Sequence, residues 1–159
     1  MQSDVPFEGI DFGDLPAEVN ALLQDGVLAY RSDRAAADAR FRRALALDPG
    51  ALPTYFCLYK IHTYQGRLED ARAMAEAGLA EAARQAGWGR DWRCWMPGET
   101  RPGEPGRFAL YTLKALAFIA LRDARPDDAA AMLGALRKLD PNGVVGWPVV
   151  AELAEGCAA

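Results

Sequence analysis

The sequence predicts an all-α fold built from helical hairpins, and three observations lead to this prediction. Just over half of the residues are apolar, 51%, and they recur at the three- and four-residue spacing of helices. The segment 54–87 has the pattern of two helices joined at Gly66, and related segments flank it at 32–50 and 124–142. A hairpin of this kind has an apolar face that it cannot bury alone, so neighbouring copies are expected to pack together.

The three segments align through their small residues, and the alignment fixes the spacing between them. Ala37, Ala71 and Ala129 fall in register, and the first two are 34 residues apart. This is the period of a tetratricopeptide helix–turn–helix unit. The second interval is 58 residues, which is one period plus an insertion of 24. Both outer segments end on Leu-Asp-Pro, at 47–49 and 139–141.

On these residues the chain resembles the tetratricopeptide repeat family over about residues 17–142. The resemblance implies a right-handed helical-repeat solenoid of about three helix–turn–helix units plus a C-terminal capping helix. The expected parts are an irregular arm at 1–15, a repeat domain at 16–143 with its insertion around 87–106, and a capping helix with a tail at 144–159.

The chain departs from the family at two kinds of position. Family members usually have a small residue at the eighth position of each first helix, and the matching residues here are Asp25, Tyr59 and Ala117. The turn glycine inside each repeat is retained only at Gly66, because Ser32 and Ala124 occupy the other two positions.

A second resemblance connects the segments 58–71, 78–93 and 107–122 with small tetratricopeptide-like proteins encoded among bacterial nitrogen-fixation genes. It implies that the partner is a nitrogenase or metallocluster-assembly component, and that the insertion is a family trait.

Helix start and stop signals place the first elements. Pro16 suits the first turn of a helix, and Asp14 is available as its cap. Ser32 or Asp33 is expected to cap the second helix, at about 34–47, which Asp48-Pro49-Gly50 ends.

The remaining helices follow the central hairpin. A helix at about 105–122 has few charges, so we expect it to be the most buried of the domain. The next begins at Pro126, and a last helix runs from about 144–147 to about 155. The arm carries three large apolar residues, and the sequence leaves open whether they dock on the helices: Phe7, Ile10 and Phe12.

Composition limits the classes of function. The net charge of −4 argues against a nucleic-acid partner, which requires a basic face. No apolar run approaches the roughly 18 residues that would span a membrane. The N-terminus lacks a basic region followed by an apolar core, so no signal peptide is expected. The three cysteines have no metal-like or redox-like spacing, and we therefore expect a cytoplasmic protein with reduced thiols.

The sequence contains no recognisable catalytic set. His62 is the only histidine, and no phosphate loop, nucleophile elbow or zinc-protease motif is present. The adjacent carboxylates at 69–70 and 127–128 open helices, where acidic groups stabilise the positive end of the dipole. We therefore expect no enzymatic activity, no catalytic residue, no cofactor and no metal site.

The family resemblance implies a binding groove, because first helices of successive repeats line a concave surface in tetratricopeptide proteins. Register places these groove residues at Phe56, Lys60, Thr63, Tyr64, Tyr111, Lys114 and Phe118. Such a groove suits an apolar peptide or helix that carries an acidic group. The alternative is a groove filled by the chain's own N-terminal arm or last helix.

The insertion carries three of the four tryptophans, and its length is typical of functional or disordered loops. We expect one short helical turn there. Packing of this turn against the fourth and fifth helices is one interpretation. The other is an exposed anchor made of Trp88, Arg90, Trp92, Arg93 and Trp95, because Trp and Arg are preferred at binding hot spots.

The leading hypothesis is an adaptor or assembly factor that binds another protein through the groove and the Trp-rich insertion. A small-molecule or cofactor-binding domain is the alternative, with its pocket formed by the insertion over Phe118 and Tyr111. Homo-oligomerisation through an uncovered end of the solenoid is a third hypothesis.

Overall fold

The computed structural model describes residues 9–98 and 104–158, and over these ranges the chain is all-α without any strand, as the sequence predicts. Seven α-helices and one 3-10 turn (Trp92–Cys94) occur in these ranges. The α-helices are α1 (Ala17–Ala29), α2 (Arg34–Leu47), α3 (Leu52–Tyr64), α4 (Leu68–Ala86), α5 (Pro105–Arg122), α6 (Pro126–Leu139) and α7 (Trp147–Ala158). None of them combines the length and apolar character needed to cross a bilayer.

Most of the predicted helix starts are confirmed, because they rest on local chemistry. Asp33 caps α2 by accepting a hydrogen bond from Ala36 N at 3.0 Å. Proline stands at the first position of α5 and of α6. Its lack of an N–H costs no hydrogen bond there, because an N–H at the first position of a helix has no acceptor within the helix. The predicted cap of α1 is wrong. Pro16 occupies the cap position with no side-chain hydrogen bond, so Asp14 does not cap this helix.

The chain forms two compact units, Met1–Leu58 and Tyr59–Ala159, whose boundary lies inside α3. In the first unit α1 packs against α2, and Gly26 lies directly against the Phe41 ring of α2. A Cβ atom at Gly26 would lie 2.4 Å from Cε1 of Phe41, whose side chain is buried. The small residue at this crossing is therefore Gly26, one position after the Asp25 that the repeat register indicates.

The described part of the N-terminal arm is hydrogen-bonded to α1 through the Gln24 side chain. Ile10 N donates to Gln24 Oε1 at 2.9 Å, and Gln24 Nε2 donates to Ile10 O at 2.5 Å. The Ile10 side chain is 47% exposed, and Phe12 is half-buried. The arm thus docks here through its backbone rather than through Ile10, and Phe7 lies outside the described residues.

In the second unit, α5 packs against α4, α6 and α7. Nine of its 18 residues are buried, whereas eight of the 13 residues of α3 are buried. The prediction that α5 is the most buried helix is therefore wrong by this measure. The physical reason is that one face of α5 carries large half-buried side chains, namely Tyr111, Lys114 and Phe118.

The hairpins α3–α4 and α5–α6 close through the same backbone turn. Gly66 has φ 72° and Ala124 has φ 54°, both left-handed. Beyond each, the next N–H reaches back one turn: Arg67 N donates to His62 O at 2.9 Å, and Arg125 N donates to Ala120 O at 2.8 Å. These bonds satisfy carbonyls at the helix ends. Gly66 and Ala124 are 58 residues apart, like Ala71 and Ala129, so the backbone repeats in the register that the sequence indicates.

Ala124 is the single residue other than glycine with a positive φ among the described residues, and this gives a testable prediction. Ala124→Gly is expected to raise the free energy of unfolding by about 1 kcal/mol, because left-handed backbone is unfavourable for any residue with a Cβ. Ser32, the matching residue of the first hairpin, does not have a positive φ, so Ser32→Gly serves as the control. Urea denaturation measures both, and an equal effect of the two glycines would contradict the prediction.

The second Leu-Asp-Pro sequence anchors the start of α7. The buried Asp140 carboxylate accepts hydrogen bonds from Val144 N and Val145 N, both at 3.0 Å. Trp147 Nε1 donates to the Asp140 carbonyl oxygen at 2.7 Å. As a result α7 packs against α5 and α6, as expected of a capping helix. In the first Leu-Asp-Pro sequence, the Asp48 carboxylate accepts a hydrogen bond from Gly50 N.

Candidate functional site

The Trp loop, defined as residues 87–98, starts from a fixed backbone turn at the end of α4. Gly87 has φ 74°, Gly87 N donates to Arg84 O at 3.2 Å, and Trp88 N donates to Ala83 O at 2.8 Å. Because glycine reaches this conformation without a steric penalty, the chain leaves α4 in one defined direction. The position of Trp88 is therefore determined by the helix end.

The Trp loop then folds back on itself around Trp95. The indole rings of Trp88 and Trp95 lie 4.9 Å apart, and Trp95 Nε1 donates to Gly89 O at 2.6 Å. Trp95 is only 8% exposed. The prediction that Trp95 belongs to an exposed anchor is therefore wrong, because its ring and its N–H are both used inside the loop.

Between these two tryptophans, the predicted helical turn is present as the 3-10 turn Trp92–Cys94. Asp91 caps it by accepting from Arg93 N at 3.0 Å. Arg93 Cζ lies 4.3 Å from the centroid of the Trp92 ring, which places the guanidinium on an aromatic face. Trp92 is half-buried, and Arg90 and Arg93 are exposed, so solvent reaches this turn, whereas the adjacent Trp95 is buried.

A cleft of about 360 Å³ lies between the Trp loop and α6. Its loop side consists of Trp92, Arg93 and Trp95, and its helix side consists of Ala131, Gly134, Ala135, Lys138 and Leu139. The hypothesis of a pocket under the loop placed it over Phe118 and Tyr111. The opposite wall of the cleft is α6 instead, and neither of these aromatic residues lines it.

Gly134 stands in the interior of α6 and is not explained by packing within the described residues. Apart from its chain neighbours and the backbone of its own helix, no heavy atom of the described residues would lie within 4 Å of a Cβ atom built at Gly134. Glycine at a helix interior is about 0.5–1 kcal/mol less favourable than alanine. Gly26, by contrast, is required by the Phe41 ring. The space over Gly134 therefore belongs to the cleft.

Two cations border the cleft. The Arg93 Nη1 atom lies 3.5 Å from Asp91 Oδ1, and both side chains are more than half exposed, so this contact neutralises the guanidinium only weakly. Lys138 is exposed in the last turn of α6 and forms no ion pair with any residue that the structure describes. In a chain of net charge −4, the cleft is thus locally positive.

The residues predicted to line a groove divide between α3 and α5. Lys60 and Tyr64 are exposed neighbours, with Nζ 5.7 Å from the ring centroid. Thr63 is buried, and its hydroxyl donates to Tyr59 O at 2.7 Å. Thr63 therefore does not offer its hydroxyl to a partner, which corrects its assignment. Phe56 is half-buried in the first unit.

On α5, the predicted groove residues pair aromatic rings with cations. Lys114 Nζ lies 3.8 Å from the Tyr111 ring centroid, and Arg122 Cζ lies 5.8 Å from that of Phe118. Burial lowers the pKa of the Lys114 ammonium below the ordinary lysine value. Its Nζ is also close to the backbone of Gly146, where a Cβ atom would be 3.6 Å away. Lys114 therefore presents its charge less openly than Lys60, and the groove as a partner site stays a prediction.

Sequence reasoning found the loop side of the cleft and missed the helix side. The residues that it missed are Ala131, Gly134, Ala135, Lys138 and Leu139. One signal was available: Gly134 interrupts a run of strong helix formers without a turn, a cap or a proline nearby to account for it.

Comparisons of the chain with protein-family models, with curated proteins and with solved structures find no match. The function must therefore be argued from the cleft and the surfaces beside it.

Proposed function

We propose that this chain is a protein-binding module, an adaptor or assembly factor, that holds a segment of another protein at the Trp loop and in the cleft beside it. The observation that carries the proposal is the cleft itself, with Gly134 open to it and with Arg93 and Trp92 at its edge. Tryptophan and arginine dominate the binding energy of many protein interfaces. An open glycine on the facing helix would let a partner backbone approach closely.

Further apolar surface beside the turn supports a protein ligand. Met96 follows the buried Trp95 and is 80% exposed, which is unusual for a methionine. Methionine adapts its shape to different apolar partners. Together with Trp92, it would extend the contact surface beyond the cleft.

The pairs on α3 and α5 would supply a second part of the binding surface if the family-derived groove is used. Tyr64 is 66% exposed and stands beside Lys60. Such aromatic–cation pairs suit an apolar segment that carries acidic groups. The resemblance to proteins of nitrogen-fixation gene clusters makes a metallocluster-assembly component the first partner to look for.

The combined substitution Trp92→Ala with Arg93→Ala tests the proposal. We expect it to lower partner recovery in affinity capture from the native cells at least about tenfold, which corresponds to about 1.4 kcal/mol of binding free energy. A photocrosslinking amino acid at Met96 should join the same partner to the chain.

Arg90→Ala is the matched control, because Arg90 is an exposed arginine of the same loop that does not line the cleft. It should leave recovery unchanged. Trp95 is retained in all variants, so thermal unfolding should change little. The proposal fails if no protein is recovered in a way that depends on Trp92 and Arg93.

A further inference from the structure

We infer that the segment bound in the cleft carries an aspartate or glutamate next to an apolar residue, with the carboxylate held by Arg93 and Lys138 and the apolar part lying on Gly134. This inference rests on the proposed function and specifies the chemistry of the partner. It follows from the floor of the cleft, from its wall and from its charge.

The floor of the cleft is the face of α6, and it is formed by small residues. Ala131, Gly134 and Ala135 have the spacing of one helical face, and all three line the cleft. Small residues on a helix let another backbone or a flat side chain come close. Because Gly134 has no neighbour within 4 Å of its Cβ position among the described residues, the floor of the cleft leaves room there for atoms of a ligand.

The wall is aromatic and held rigidly. Trp95 is fixed by its hydrogen bond to Gly89 O and by the Trp88 ring, so it is in place before anything binds. A preformed apolar wall reduces the ordering that binding requires. The part of the ligand between this wall and Gly134 is therefore apolar.

The rim is cationic. Arg93 lies against the Trp92 ring, which restrains the guanidinium while leaving its planar N–H donors able to bind a carboxylate with two hydrogen bonds. Lys138 lines the same cleft from α6. Two cations at the rim of an apolar cleft favour an acidic residue in the ligand and disfavour a basic one.

The probe is a random-peptide phage library selected on the full chain at low salt. We expect the enriched peptides to combine an acidic residue with a neighbouring apolar residue. As synthetic peptides, they should bind Gly134→Leu at least about tenfold more weakly than the unmodified chain. Lys138→Gln should weaken binding several-fold and reduce its dependence on salt.

Gly134→Leu fills the cleft from its floor and replaces a helix-interior glycine at an open position, so the variant should unfold at the same or a higher temperature. Gly134→Ala is the control for the change in helix propensity, and Arg90→Ala is the control for the loss of a loop charge. The inference is overturned if no peptide is enriched, if the enriched peptides lack acidic residues, or if they bind Gly134→Leu as well as the unmodified chain.

The two proposals can fail separately. If affinity capture still recovers a partner that depends on Trp92 and Arg93, but Gly134→Leu binds it equally well, protein binding at the Trp loop stands, and the cleft is not part of the binding site. If no partner depends on the loop residues, the proposed function fails as well.

Discussion

Replacing Asp140 with alanine is expected to lower the free energy of unfolding by about 2–4 kcal/mol, because a buried carboxylate that accepts two backbone hydrogen bonds is removed. Val144 N donates to one carboxylate oxygen and Val145 N to the other. Without the carboxylate, two backbone N–H donors just before α7 lose their acceptors, and the Val145 donor is buried. Losing these two hydrogen bonds should also weaken the packing of α7 on α5 and α6.

Two variants separate this effect from a general loss of charge. Asp140→Asn keeps one oxygen acceptor but places an amide opposite the other N–H donor, so its effect should be intermediate. Asp48→Ala changes the same residue of the first Leu-Asp-Pro sequence, where the carboxylate is half-buried and accepts from Gly50 N. Its effect should be no more than about 1 kcal/mol. Equal losses for Asp48→Ala and Asp140→Ala, measured by urea denaturation, would refute this explanation.

Gly26→Ala is expected to destabilise the first unit by about 1–3 kcal/mol, although alanine is the better helix former. The new methyl group would lie 2.4 Å from Cε1 and 2.8 Å from Cδ1 and Cζ of Phe41. Phe41 is 1% exposed, so its ring cannot turn away into solvent. Either α1 must shift away from α2, or the Phe41 ring must leave its preferred conformation.

A double-mutant cycle with Phe41→Leu tests this mechanism. Leucine removes the ring atoms that the Gly26→Ala methyl group would strike, so the two substitutions together should destabilise less than the sum of their separate effects. Gly134→Ala is the matched control, since it makes the same substitution in a helix where the Cβ position is open. It should raise stability slightly. Additive effects of Gly26→Ala and Phe41→Leu would show that the ring is not the cause.

The helices were predictable because their limits depend on neighbouring residues. Asp33, Pro105 and Pro126 each mark a helix start that the structure has at that place. The repeat register was also predictable, and it reappears in the matched turns at Gly66 and Ala124. The turn at Ala124 has the same left-handed backbone although the sequence lacks the favoured glycine there, and the helices that it joins, α5 and α6, pack against each other.

The interior of the Trp loop was not predictable from spacing alone. Trp88, Trp92 and Trp95 look alike in the sequence as members of one aromatic face, yet Trp95 is buried and Trp92 is only half-buried. The difference depends on the hydrogen bond from Trp95 to Gly89 O, a contact between backbone and side chain that no periodicity reveals.

The helix side of the cleft was missed for a different reason. Local patterns report which residues favour a helix, but they do not report which face of α6 lies beside the Trp loop. Gly134 is one of several helix-interior glycines in the sequence, and only the structure shows that its Cβ position is open and that it lines the cleft. Lys60 and Lys114 were likewise grouped by register, yet burial separates them.

The paired indoles of Trp88 and Trp95 also give the loop an optical property. Their centroids are 4.9 Å apart, and the ring planes are inclined by 54°. At this distance and angle, the strong electronic transitions of two chromophores couple and split into bands of opposite sign in circular dichroism. That couplet is present only while the two rings stay together, so the folded state of the loop is visible in polarised light without any label.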